Sequence, residues 1–228
     1  MTKIIAEIGI NWDGDFELLN EMISKSKEAG CDFIKLQAFE RATTNNHPQT
    51  ERLLKSSVSD KNIEKINDLA RANNIEWFCT PMYPDAVKLL EPYVNRFKIR
   101  EIDARELANG NSTKMTNLIF ETKKPIIASS EKIPKKLNIF ENEIKWLYCI
   151  PKYPCPYNEI DFNKMKNFDG FSNHCPEINA PINAAKNGAD IIEVHITSNK
   201  TEDFIDNNVS FDYEQLSEIV SKIQKLTE

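Results

Sequence analysis

The sequence has no long basic run and no interleaving of basic with aromatic residues, which argues against a nucleic-acid platform. Its balance is acidic, with a formal net charge of −6. That does not exclude an anionic small molecule, because lysines at one site act at short range whatever the overall charge. No run approaches the ~20 apolar residues of a membrane span. The start, MTKIIAEIGINWDGD, enters an apolar run at once and soon meets acids. It lacks the basic head and cleavage site of a secretory signal, so a cytoplasmic protein is expected. Gly/Ser linkers and low-complexity tracts are also missing, so one domain over residues 1–228 is expected. Cysteine occurs five times (Cys31, Cys79, Cys149, Cys155, Cys175) but never as a C-x-x-C pair. An odd number of thiols in or beside apolar runs reads as reduced and partly buried. Cys175 adjoins His174, but neighbours on a strand point to opposite faces, so the two do not read as a nucleophile and its base. Histidine occurs only three times. Two of these, His174 and His195, end consecutive β-prone runs with a helical pattern between them.

What is present alternates. The short β-rich runs are KIIAEIGI, DFIKLQAF, IEWFCTP, RFKIR, KPIIAS, IKWLYCI, DGFSNH and DIIEVHIT. Amphipathic segments lie between most of them. In FELLNEMISKSKEAG the apolar residues recur at helical spacing and Gly30 supplies a stop. DKNIEKINDLARANN, AVKLLEPYV, KMTNLIFETK, INAAKNGA and FDYEQLSEIVSKIQKL read the same way; KKLNIFE, after the fifth run, is the weakest. Eight strands alternating with about eight helices is the pattern of a (β/α)8 TIM barrel, with a doubly wound open sheet as the alternative. The barrel is favoured because polar residues recur where the runs end: Glu7 and Asn11, Lys35 and Gln37, Thr80, Lys98, Ser129 and Ser130, Tyr153, His174, His195. In a barrel these ends form one face, where active sites are built.

Neighbouring parallel strands lie about 4.8 Å apart, so two histidines ending adjacent strands can reach one ion. Imidazole suits Zn, Mn, Fe or Ni, with open positions left for substrate. Two histidines alone leave a core or surface role equally open. Glu193, two positions before His195, faces the same side of its strand and could assist.

In order along the chain, AEIGINWDG, KLQAF, FCTP, RFKIR, KPIIASS, YCIPKYPCP, SNH and GADIIEVHIT resemble the motifs of the sialic acid synthases, which condense phosphoenolpyruvate with an N-acetylated aldose to give a nine-carbon acidic sugar. The resemblance implies roles residue by residue. His174 and His195 match the two metal-binding histidines, and their separation, 195 − 174 = 21, matches the family's; the implied cofactor is a divalent metal, Mn²⁺. Lys35 and Lys98 match the lysines that hold phosphoenolpyruvate, a phosphate and carboxylate that need cationic donors. Ser129 and Ser172 match serines that bind the same substrate. Glu7 matches a glutamate near the reacting carbons, suited to proton transfer. Thr80, Tyr153 and Asp206 match residues around the acceptor sugar, and Asp103 stands for a glutamate that contacts it. The implied reaction polarises the aldehyde at a Lewis acid, attacks it with C3 of phosphoenolpyruvate, adds water at C2 and releases phosphate by C–O cleavage.

The sequence also departs from that pattern. The family's small antifreeze-like domain, which supplies an arginine to a partner subunit, is expected to be missing, so that a homodimer would form through barrel helices or a partner chain would bring the domain. The implied acceptor site is altered: Trp12 stands for a histidine, Glu131 for a glycine, Tyr148 for a histidine and Pro151 for an asparagine, while Glu101 stands for a phosphate-binding serine and would repel a phosphate unless it points away or binds a cation. Three readings follow: a synthase joining phosphoenolpyruvate to an aldose; a metal-dependent barrel lyase or isomerase acting on another acidic or phosphorylated sugar; or a non-catalytic binding subunit.

Overall fold

The computed structural model describes residues 2–134 and 141–226. Eight parallel strands close a barrel in chain order: β1 Lys3–Gly9, β2 Phe33–Ala38, β3 Glu76–Pro81, β4 Phe97–Ile99, β5 Ile126–Ser130, β6 Ile144–Tyr148, β7 Gly170–Asn173 and β8 Ile191–His195. Closure is made by β1 against β8, in register from Lys3 opposite Ile191 to Glu7 opposite His195. An open doubly wound sheet has no such pairing, so the barrel expectation holds. The strands read as nearly continuous apolar runs because parallel strands are covered on both faces; six of the seven residues of β1 are buried.

Eight α-helices surround the barrel among the described residues: α1 Phe16–Ala29, α2 Thr50–Lys55, α3 Ile63–Ala72, α4 Pro84–Leu90, α5 Glu101–Ala108, α6 Lys114–Glu121, α7 Asn179–Lys186 and α8 Tyr213–Gln224. In α1, Asp15 accepts from the amides of Glu17 and Leu18 at the N-terminus, and Gly30 closes the other end at a left-handed φ of 93°. The helices do not fall one per strand. The connection from β2 to β3 holds α2 and α3, and that from β4 to β5 holds α5 and α6. Between β6 and β7 the described chain makes two 3₁₀ segments, Tyr157–Glu159 and Phe162–Asn167. The weak segment KKLNIFE falls on residues 135–141, of which 135–140 lie outside the described residues.

Two expectations are corrected. The fourth strand does not run on through Arg100; it stops at Ile99, and Glu101 begins α5. The buried residues Glu101, Ala104, Leu107 and Ala108 form a helical stripe that a three-residue strand was too short to set apart. Trp12, expected at the acceptor site, is fully buried. Its indole N–H donates to the Ser56 carbonyl at 3.0 Å and its ring lies 5.4 Å from Phe16. It pins the loop after β1 to the end of α2 instead.

Among the glycines, Gly170 has the closest neighbour, on the adjacent strand β8. A Cβ there would lie 2.0 Å from the Ile191 carbonyl oxygen, a backbone atom that cannot rotate away. Gly170→Ala is expected to push β7 off β8 and lower stability by about 3 kcal/mol or more, read as a shift in the urea unfolding midpoint. An unchanged midpoint would contradict the close pairing of these strands.

Candidate active site

The C-terminal ends of the strands open into a cavity of about 340 Å³, within the roughly 300–1,000 Å³ usual for small-molecule sites. Its wall is shared among Glu7 of β1, Lys35 and Gln37 of β2, Thr80 of β3, Lys98 of β4, Ser129 of β5, Ser172 of β7, and Glu193 and His195 of β8. His174, Tyr153 and Asp206 complete it from loops.

The base of the cavity is a cluster of two lysines and two glutamates, all buried. The Lys98 ammonium donates to Ser129 Oγ at 2.6 Å and to Glu193 Oε2 at 2.8 Å. The Lys35 ammonium lies 2.9 Å from Glu7 Oε2, donates to Thr80 Oγ1 at 3.3 Å, and is 3.7 Å from Glu193 Oε1. Ser172 donates to that same Glu193 oxygen at 2.9 Å. Glu193 therefore braces both lysines and a serine, its oxygens engaged with these groups and not with the histidines. Burial alone would push its carboxyl up, but Lys35 and Lys98 hold it down at about 2. Burial works against the charge of Lys35, yet Glu193 and Glu7 raise its pKa; at Lys98 burial, with Lys35 beside it, outweighs Glu193 and lowers the pKa. Each ammonium has three N–H donors. Lys98 spends two, on Ser129 and Glu193, leaving one to offer to a ligand; Lys35 faces three partners, Glu7, Thr80 and, at the longer 3.7 Å, Glu193.

Glu7 is braced from the other side by the Gln37 side-chain amide. Gly9 makes room for this contact: at φ 54° it is left-handed, and a Cβ would come within 3.0 Å of both Gln37 Nε2 and Glu7 Oε1.

The other half of the cavity carries the histidines, their rings 5.4 Å apart. His174 Nδ1 faces the Ile150 carbonyl at 2.9 Å, so it carries the proton and leaves the Nε2 lone pair toward the cavity. There it receives the Tyr153 hydroxyl at 2.6 Å. Tyr153 is 57% exposed as a residue, but its hydroxyl is buried, and burial raises its pKa well above the ordinary phenol value, so it stays a donor. Burial, with His195 nearby, pushes His174 down to about 3, the neutral form that ligates metals. His195 lies 3.3 Å from Asp206 Oδ2, close for an ion pair though not aligned as a hydrogen bond; burial opposes its charging, but Asp206 raises its pKa. Two imidazoles with a carboxylate and a phenol around them fit a borderline divalent metal with open positions. Among the described residues no three His, Cys, Asp or Glu side chains converge as a complete ligand set.

The thiol that meets His174 is Cys149, at 3.8 Å from Nδ1, and burial lifts its pKa to about 12, which keeps it protonated. All five cysteines are free and buried.

Asp103 is not brought to the cavity. It sits on the first turn of α5 and takes the Arg100 guanidinium at 2.6 Å; Arg100 is the residue that lines the wall. Glu101 does line it, but both its oxygens are held by Arg105, at 3.0 and 2.6 Å, which removes the repulsion expected toward a phosphate. Asn11 stays outside. Its side chain donates to Ile196 O and Ser210 Oγ and accepts from the Asp206 amide, fixing the loop that carries Asp206. Sequence reasoning missed His47 and Arg100 as lining residues. Arg100 was legible in principle, since it lies two positions beyond Lys98, the period of one strand face.

Among the described residues, Glu193→Gln removes the only carboxylate paired with the buried Lys98 and the second one paired with Lys35, and is expected to lower stability at pH 7 by about 3–5 kcal/mol. Because the folded carboxyl is depressed from 4.5 to about 2, its contribution is complete above about 4.5 and lost as pH falls through about 2. The gap between wild type and variant in denaturant unfolding should close over that window; a gap independent of pH would contradict the charge pairing.

The sequence profile of the NeuB family matches residues 22–228. The N,N'-diacetyllegionaminic acid synthase of Campylobacter jejuni is 27% identical, over 99% of this chain and 76% of that protein. The human N-acetylneuraminate-9-phosphate synthase is 25% identical, over 97% of this chain and 69% of that protein. Among solved structures, the N-acetylneuraminic acid synthetase of Leptospira borgpetersenii, in complex with citrate, superposes with a TM-score of 0.83 at 22% identity, covering 99% of this chain and 83% of that one. At that identity the superposition speaks for the barrel fold, and the profile match across most of the length speaks for descent: this chain belongs to the NeuB family.

Proposed function

We propose that the protein is a synthase that condenses phosphoenolpyruvate with an aldose to give a 2-keto-3-deoxy sugar acid and inorganic phosphate. One observation carries this reading: Lys35 and Lys98, with Ser129 and Ser172, form a buried donor cluster at the base of a cavity whose wall also carries His174 and His195. The synthase relatives lend it support.

In this reading Lys98 offers its free N–H to the phosphate or carboxylate of phosphoenolpyruvate, Lys35 does so as its longer contact with Glu193 yields, and Glu193 keeps both ammonium groups in place when the site is empty. His174 and His195 would hold a divalent metal, Mn²⁺ by family resemblance, which as a Lewis acid polarises a carbonyl when bound. The acceptor lies toward Thr80, Tyr153 and Asp206. The C3 carbon of phosphoenolpyruvate bonds to the aldehyde carbon. Water adds at C2, and the bond between C2 and the phosphate ester oxygen breaks. The oxygen leaves with phosphate, and the C2 hydroxyl loses its proton to become the keto group. Glu7, near the base of the cavity, is placed to exchange a proton once substrate displaces part of its contact with Lys35.

The test is phosphate release with Mn²⁺ present. Release should require phosphoenolpyruvate and an aldose together, and ¹⁸O in the bridging position should appear in the phosphate. His174→Ala combined with His195→Ala should abolish the metal dependence. Release from a phosphorylated sugar without phosphoenolpyruvate would favour the lyase or isomerase reading instead.

A further inference from the structure

Arg100 is unlike the other cations of the cavity. Lys35 and Lys98 are buried at its base, whereas Arg100 stands at the junction of β4 and α5, its side chain 34% exposed. Its Nε donates to Asp103 at 2.6 Å and one Nη meets the Met82 sulfur at 3.4 Å, a weak acceptor. Of the five N–H donors of a guanidinium, three have no partner among the described residues. Asp103 holds the group at one edge and leaves the others to the cavity. The pair is also neutral as a unit, so it attracts an anion less than a bare cation would, while its free N–H groups still suit an uncharged oxygen. Met82, in contact with the guanidinium and itself on the wall, offers apolar surface next to those donors.

We infer that Arg100 determines acceptor specificity, donating to an uncharged oxygen of the sugar, a hydroxyl or an acyl carbonyl, and that Asp103 is its positioning residue. The acceptor is then a neutral aldose and not a sugar phosphate. This rests on the synthase reading and adds to it the class of the acceptor and the residue that reads it.

The experiment measures KM for acceptor and for phosphoenolpyruvate separately, in the wild type, Arg100→Ala, Arg100→Lys and Asp103→Asn, with mannose, N-acetylmannosamine and their 6-phosphates. Wild type should prefer the neutral sugars. Arg100→Ala should raise acceptor KM roughly ten- to a hundredfold, as for loss of a hydrogen bond from a charged donor, with phosphoenolpyruvate KM nearly unchanged. Arg100→Lys should recover part of that loss. Asp103→Asn should raise acceptor KM less and shift preference toward the 6-phosphates, which a merely structural aspartate would not do. If only N-acetylmannosamine suffers in Arg100→Ala, the oxygen is the acyl carbonyl; if both neutral sugars suffer, it is a hydroxyl. A wild-type preference for the 6-phosphates, or an unchanged acceptor KM in Arg100→Ala, would overturn the inference while leaving the synthase reading intact. Absence of any phosphoenolpyruvate-dependent turnover in the wild type would overturn both.

Discussion

Two lysines lie side by side inside this barrel because a third group holds them there. Buried lysines are seldom found without a partner, and two of them would repel. Glu193 answers both problems by placing one oxygen 2.8 Å from the Lys98 ammonium and the other 3.7 Å from that of Lys35. With Glu7 on the far side of Lys35, the cluster carries two positive and two negative charges and is balanced when empty. In the proposed reading phosphoenolpyruvate meets ammonium groups already oriented, with Lys98 keeping one N–H to give. Preorganisation of this kind makes a site bind without rearranging its shell.

The barrel makes the cluster possible. Its members come from positions as far apart as Glu7 and Glu193, and parallel register aligns them: Glu7 opposite Lys35, Ser172 opposite Glu193, Glu7 opposite His195. The rim is built differently. Tyr153 and Asp206 are on loops, and the second is fixed by Asn11, whose three hydrogen bonds reach across the seam between the first and last strands. A rigid base for the anion and a loop-built rim for the second ligand is the division of labour expected when loops set specificity on a fixed scaffold.

Much of this was legible in the sequence. The eight apolar runs are all strands, because strands buried on both faces announce themselves by composition alone. The polar residues that end the runs led to Lys35, Thr80, Lys98, Ser129, His174 and His195, and the family resemblance to Ser172, all of which line one cavity. What escaped depends on partner and direction. Period-two alternation placed Glu193 on the histidine's face, but only the packed barrel turns it toward the lysines. Asp103 is close in sequence to the wall and reaches it only through Arg100. The Glu101–Arg105 pair needs the helical spacing of α5, and a three-residue β4 hid where that helix begins. Trp12 reads as a site substitution until its indole is seen bonded to Ser56.

We infer that the caged lysine pair is an anion receptacle shaped for phosphoenolpyruvate. Calorimetric titration of phosphoenolpyruvate into wild type and into Lys98→Met tests it most directly. Wild type should bind saturably and the variant at least roughly tenfold more weakly, as for loss of one charge-assisted hydrogen bond. No binding to folded wild type, or equal affinity in the two proteins, would contradict it.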